Sequence, residues 1–186
     1  MSWRRRSSTS ISAVWFTPWQ GRNVHNLIAS NTLVALGSRL RGRRCRPYNS
    51  DTKIRIRLPS HVRFYDPDLS VTCRPNPPHE SFQDDPALIA EVVSQSTRRV
   101  DEGEKKEAYV TIPSLSVYLL VEQESPKVVV YRRGEQGFAR EVYVGVDAVI
   151  SLTEIETDLP LAEIYDGVEF SPEPTDDDTD ANRSRS

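Results

Sequence analysis

Residues 86–110 read "PALIAEVVSQSTRRVDEGEKKEAYV", and the stretch 88–93 inside it constrains the fold most. Its apolar run is almost unbroken, the pattern of a strand covered on both faces. Yet Glu91 sits in the middle of it. A charge buried without a partner is strongly destabilising, so the strand needs something to neutralise this carboxylate. Fourteen residues further on, Lys105 lies in a segment with helical character.

The flanking sequence supplies the rest of a sheet. Residues 23–40 place Val24, Leu27, Ile28, Val34 and Leu40 near helical spacing, with Gly42 positioned to end the helix. "RRCRPYNS" reads as a connection with turn chemistry. "DTKIRIRL" alternates, Ile54, Ile56 and Leu58 on one face against Lys53, Arg55 and Arg57 on the other, so it reads as a half-exposed strand. "FYDPDLSVTC" ends in a second alternation, and "RPNPPHESFQDDP" is a loop rich in proline and acid. After strand 88–93 the spacing predicts a helix over 100–110, stopped by Pro113. "SVYLLVE" and "KVVVYRR" then form a hairpin about "ESP", followed by weaker strand signals in "GFAREVYV" and "AVISL". The order predicts an α/β (α+β) fold, a mixed β-sheet core flanked by helices.

One domain is expected over 13–170, between a disordered basic segment, 1–12, and a disordered acidic tail, 171–186. A chain of 186 residues is long enough to bury roughly 70% of its unfolded surface. No apolar run approaches the ~20 residues of a membrane span, and the polar stretch behind Arg4, Arg5 and Arg6 does not make an export signal. Cys45 and Cys73 lack clustered metal-ligand spacing, so free thiols in a cytoplasmic protein are expected. Charge divides sharply: residues 1–63 hold 13 Lys/Arg and one acid, Asp51, within a chain of net charge −3. That asymmetry fits contact with a polyanion, and equally fits two halves of one fold complementing each other.

Asp68 follows Pro67 near one strand, and Glu91 lies in the next. Two neighbouring antiparallel strands can bring such carboxylates into one site, where they repel unless a proton or cation intervenes. A hard divalent ion accepts carboxylate oxygens and keeps water for substrate phosphates. Asp101, Lys105 and Tyr109 recur every four residues and share a helical face. From there Lys105 could stabilise charge on a phosphate oxygen, with Asp101 holding the lysine and Tyr109 walling the pocket. Alternatively, Asp101 and Lys105 form an ordinary surface ion pair.

The segments "YDPDLSV", "PALIAEVVSQSTRRVDEGEKKEAYV", "YLLVE" and "VVVYRR" resemble the Uma family of restriction endonucleases, within the PD-(D/E)XK superfamily, over about residues 24–165. The resemblance implies a restriction-endonuclease-like core with an added C-terminal β-hairpin. It implies Asp68 and Glu91 as catalytic, metal-binding acids, the Val92 carbonyl as a further metal ligand, and Lys105 as the superfamily's catalytic lysine. In the commonest superfamily motif that lysine lies two residues after the second acid, where this chain has Val93. The implied activity is Mg2+- or Mn2+-dependent endonucleolytic hydrolysis of DNA, with a homodimer left open. Two departures stand out: Gln95 replaces the proline of the family's "S-P-S-T" turn, and "RRRSSTSISAVWFTPWQ" stands where a "YELIDGE"-like strand pair is usual. The second leaves two expectations open, an amino-terminally truncated chain or a degenerate one, and bears on activity rather than fold. The alternative reading is a catalytically inactive nucleic-acid-binding or interaction protein on a decayed nuclease scaffold. His25, His61 and His79 show no partner pattern; His25 matches a histidine often present at the family's first helix, and packing on the helix surface is its expected role. Arg39, Arg41, Arg43, Arg44 and Arg46 fit either DNA phosphates or a solvated helix end.

Overall fold

The computed structural model describes residues 20–58, 60–94 and 101–170; the expected disordered segments and Gln95 lie outside them. Helix α1, Gln20–Arg39, leads into strands β1 (Arg46–Asn49), β2 (Lys53–Arg57), β3 (Val62–Tyr65), β4 (Leu69–Thr72), β5 (Phe82–Gln83) and β6 (Pro86–Val93). A wide helical turn over Asp101–Lys105, interrupted at Gly103 (φ −100°, ψ −105°), runs into the single α-helical turn α2, Lys106–Tyr109. Strands β7 (Val117–Glu122), β8 (Lys127–Gly134), β9 (Gly137–Val144), β10 (Val149–Leu152) and β11 (Thr157–Pro160) follow, and α3 is Leu161–Ile164.

Six strands form the central sheet in the order β1-β4-β6-β7-β8-β9, with β6 and β7 parallel and the other neighbours antiparallel. This is the mixed sheet of the α+β expectation. The run at 88–93 is buried on both faces, as its composition requires. Leu88, Ala90 and Val92 pack toward Ile28 and Leu36 of α1 and toward the β10–β11 hairpin and α3. Ile89 and Val93 pack the other way, against Tyr109, Tyr118, Ile54 and Ile56. Each fully buried Leu or Ile contributes roughly 1.5–3 kcal/mol, so two layers of cover follow from this one strand. A small second sheet, β3-β2-β5, makes part of the second layer, with Ile54 and Ile56 turned inward as their alternation predicts.

Several local expectations need correction. "RPYN" is a strand, β1; Pro47 is tolerated there because β1 pairs with β4 on one side only. The helix expected over 100–110 is regular only over its last turn. Cys45 and Cys73 are not free thiols but a disulfide across a 28-residue separation. The Arg46↔Thr72 pairing places them opposite each other one residue on, a proximity that linear spacing does not reveal. Arg39 is partly exposed and paired rather than fully solvated: its guanidinium grips both Glu163 carboxylate oxygens and ties α1 to α3. Among the described residues, no helix is long and apolar enough to cross a membrane.

Two predictions concern these links. A cross-link closing a loop of this length restricts the unfolded chain by about 2–4 kcal/mol. The double replacement Cys45→Ser, Cys73→Ser should lose stability of that order in urea unfolding, and reduction should lose the same; unchanged stability would show the bridge to be absent. The hydrogen bond from Arg39 holds the Glu163 carboxyl below its usual range, against a smaller opposing effect of burial. Its contribution is therefore complete above the unfolded value of about 4.3 and is lost as pH falls through the lowered folded value. Because the Glu163 side chain is 44% exposed, the pair should be worth under about 1 kcal/mol. The melting-temperature gap between the parent and Glu163→Gln should be constant near neutrality and close in acid; a gap that widens in acid would contradict this.

Candidate active site

The candidate residues gather where β6 ends and β4 begins. Leu69 pairs with Ala90 and Val71 with Leu88; continuing that register sets Asp68 opposite Glu91 and Pro67 opposite Val92. Proline has no N–H to donate, so Pro67 offers the Val92 carbonyl no donor and the ladder is not continued. The Val92 N–H donates instead to Asp68 Oδ2 at 2.8 Å. Along β6 the carbonyls of Ala87 and Val93 accept from Ser116 and Gln123 on the β7 side, so Val92, of opposite parity, turns its carbonyl toward β4. It points past the end of that strand, on the side of Asp68. The Pro-Asp pair thus ends the ladder and replaces its last acceptor with a carboxylate.

Glu91 lies on the face occupied by Ile89 and Val93, and only 4% of its side chain is exposed. Lys105 Nζ and the Tyr109 hydroxyl both donate to its Oε1, each at 3.1 Å. One helical step of four residues brings these donors to the same oxygen. Tyr109 is itself fully buried and packed edge-on against Tyr65, with ring centroids 5.4 Å apart. The acid in the apolar strand therefore has a cation and a hydroxyl as partners, as buried charge demands. The Asp101 side chain lies outside the described residues, so its expected hold on Lys105 is not described.

Two further polar side chains join this end of the sheet. His25, the histidine matched to the family's first helix and expected to pack on the helix surface, places Nε2 3.2 Å from Asp68 Oδ2. The hydrogen bond to Asp68 raises the imidazole above its ordinary value, against the pull of burial, and the charges of Asp68 and Glu91 add to the rise. Finding this contact requires knowing how α1 crosses the sheet. Glu122, buried at the end of β7, pairs in register with Val93 and lies 3.9 Å from Lys127 Nζ. Its signal was present in the sequence, because "SVYLLVE" ends an apolar run on an acid much as "ALIAEVV" encloses one. A cavity of about 560 Å³ lies beside the Cys45–Cys73 bridge and Ala87, at the other end of β6; Arg43 and Arg44 line it, and Asp68, Glu91, Val92, Lys105 and Tyr109 do not.

Among the described residues, no group of three or more His, Cys, Asp or Glu is arranged to hold a metal. The candidate cation ligands are the Asp68 and Glu91 carboxylates and the Val92 carbonyl. All are hard oxygen donors, the chemistry that magnesium or manganese prefers. Both described contacts of Asp68 fall on Oδ2, leaving Oδ1 for a further ligand. The donor set fits a small divalent cation with water completing its coordination.

Comparison with known proteins bears on the family and the fold. The chain is 30% identical over 151 residues to "Uncharacterized protein slr1290" of Synechocystis sp. strain PCC 6803, covering 81% of this chain and 78% of that protein. A crystal structure described as "a putative nuclease belonging to DUF820", from Anabaena variabilis ATCC 29413, superposes with a TM-score of 0.62. It covers 76% of this chain and 80% of its own at 16% identity, and so shares the fold. Residues 14–162 match the Uma2 family model, whose description is "Putative restriction endonuclease". With that match spanning most of its length, the chain belongs to the Uma2 restriction-endonuclease-like family.

Proposed function

We propose that the protein is a metal-dependent endonuclease that hydrolyses phosphodiester bonds in DNA, using Asp68, Glu91 and Lys105. The observation that carries this reading is the pairing at β6. A buried carboxylate, a lysine and a tyrosine share one oxygen, opposite an aspartate seated at the end of the neighbouring strand. A purely structural pair gains little from being buried, because hydrophobic replacements are often as stable. The same groups at the open end of a sheet suit charge stabilisation.

Asp68, Glu91 and the Val92 carbonyl would hold the cation. When bound, a magnesium or manganese ion supplies Lewis-acid polarisation of a phosphoryl oxygen and lowers the pKa of coordinated water. In the reaction a water oxygen forms a bond to phosphorus, the phosphorus–oxygen ester bond breaks, and the departing oxygen takes up a proton. Lys105 donates a hydrogen bond to the phosphate oxygen on which charge builds. Tyr109 is a positioning residue, since its hydroxyl fixes the Glu91 carboxylate from the buried side. His25 holds Asp68 Oδ2, balancing negative charge on the α1 side of the site.

Incubation of the purified protein with plasmid DNA tests this. Cleavage should require magnesium or manganese and cease with EDTA. Asp68→Asn, Glu91→Gln and Lys105→Met should each fall by about 10²–10³-fold or more, with Asp68→Asn keeping the parent's melting temperature within a few degrees. Equal cleavage by the parent and all three variants would overturn the assignment. Binding of DNA by the parent without cleavage would favour the inactive-scaffold alternative instead.

A further inference from the structure

The outer face of the small sheet has a chemistry that the proposed catalysis does not use. Register places Arg55 opposite Phe64, Arg57 opposite Val62 and Lys53 opposite Phe82, all on the side away from Ile54 and Ile56. Phe64 is 49% exposed, although a phenylalanine on a three-stranded sheet would ordinarily be covered. Its ring meets Phe82 edge to face at 5.9 Å, and the Arg55 guanidinium lies 4.0 Å from the Phe82 ring centre. Asp84 fixes that guanidinium through two hydrogen bonds of 2.7 Å, and Asn76 in turn holds Asp84. Arg55 and Phe82 are thus held in place before any ligand arrives.

We infer that the outer face of the β3-β2-β5 sheet, carrying Phe64, Phe82, Lys53, Arg55 and Arg57, binds an unpaired strand of DNA. An exposed ring beside cations suits a nucleic-acid base stacked on its face with the adjoining phosphates on the cations. An apolar protein partner would not exploit three basic side chains alternating with the aromatics. Asp66 and Asp84 neutralise Lys53 and Arg55 in part, whereas Arg57 is 66% exposed and reaches Asp84 only at 4.0 Å. Arg57 is therefore the phosphate contact and Phe64 the stacking surface. The opposite face of the same two strands borders the candidate active site, because Tyr65 packs on Tyr109, and Arg63 pairs with Glu104, beside Lys105. The inference rests on the nuclease reading, since it names the form of DNA that reaches the site.

Fluorescence anisotropy in EDTA, with a labelled oligodeoxythymidine and a labelled duplex of equal length, tests it without cleavage. The single strand should bind more tightly than the duplex. Phe64→Ala should weaken single-strand binding about tenfold with little change in melting temperature, and Phe64→Tyr should restore it. Arg57→Ala should reduce the slope of log affinity against log salt by about 0.7, the change expected for one lost phosphate contact to a single strand. Equal affinity for the two DNA forms would overturn the inference, as would Phe64→Ala and Arg57→Ala proteins that bind like the parent. A protein that cuts DNA but fails here loses the platform alone. One that binds single strands through Phe64 without cutting supports the platform while overturning the catalytic role.

Discussion

The contact of Glu91 with Lys105 and Tyr109 is the interaction on which the arrangement depends. A carboxylate in a strand covered on both faces is stable only if its charge is answered locally. Lys105 and Tyr109 answer it from a short helical segment between β6 and β7. Removing one partner of such a buried pair costs about 3–5 kcal/mol. The segment from Asp101 to Tyr109 is thereby fixed against the sheet by a polar contact as well as by Ala108 and Tyr109 in the core.

The other layers follow from the same strand. Its even face needs α1, the β10–β11 hairpin and α3, and Arg39 with Glu163 locks the two helices together. Its odd face needs the tyrosines and the inner, Ile54 and Ile56 face of the small sheet, whose basic residues are thereby turned outward. Pro67 completes the geometry by ending the β4–β6 ladder one residue before Asp68. Folding and the proposed chemistry therefore share elements, and the site lies where the ladder ends and backbone groups turn to side-chain partners.

Much of this was legible in the sequence because its signals are local. The unbroken run at 88–93 specified two-sided burial, the alternation in "KIRIR" specified an inner and an outer face, and the four-residue step specified that Lys105 and Tyr109 point together. What was not legible depends on tertiary placement. The Cys45–Cys73 bridge requires β1 to lie beside β4, and β1 carries a proline that disguises it as a turn. His25 meets Asp68 only because α1 crosses the sheet at its site end. The helix expected over 100–110 is shorter than its composition indicates, since Gly103 breaks it.

The most direct measurement of the central claim is anomalous diffraction from crystals soaked in manganese. The account predicts an anomalous peak within bonding distance of an Asp68 carboxylate oxygen, a Glu91 carboxylate oxygen and the Val92 carbonyl, with Lys105 beside it. An absence of density there at saturating manganese, with Glu91 still held by Lys105 and Tyr109, would contradict it and leave the buried acid as a structural contact alone.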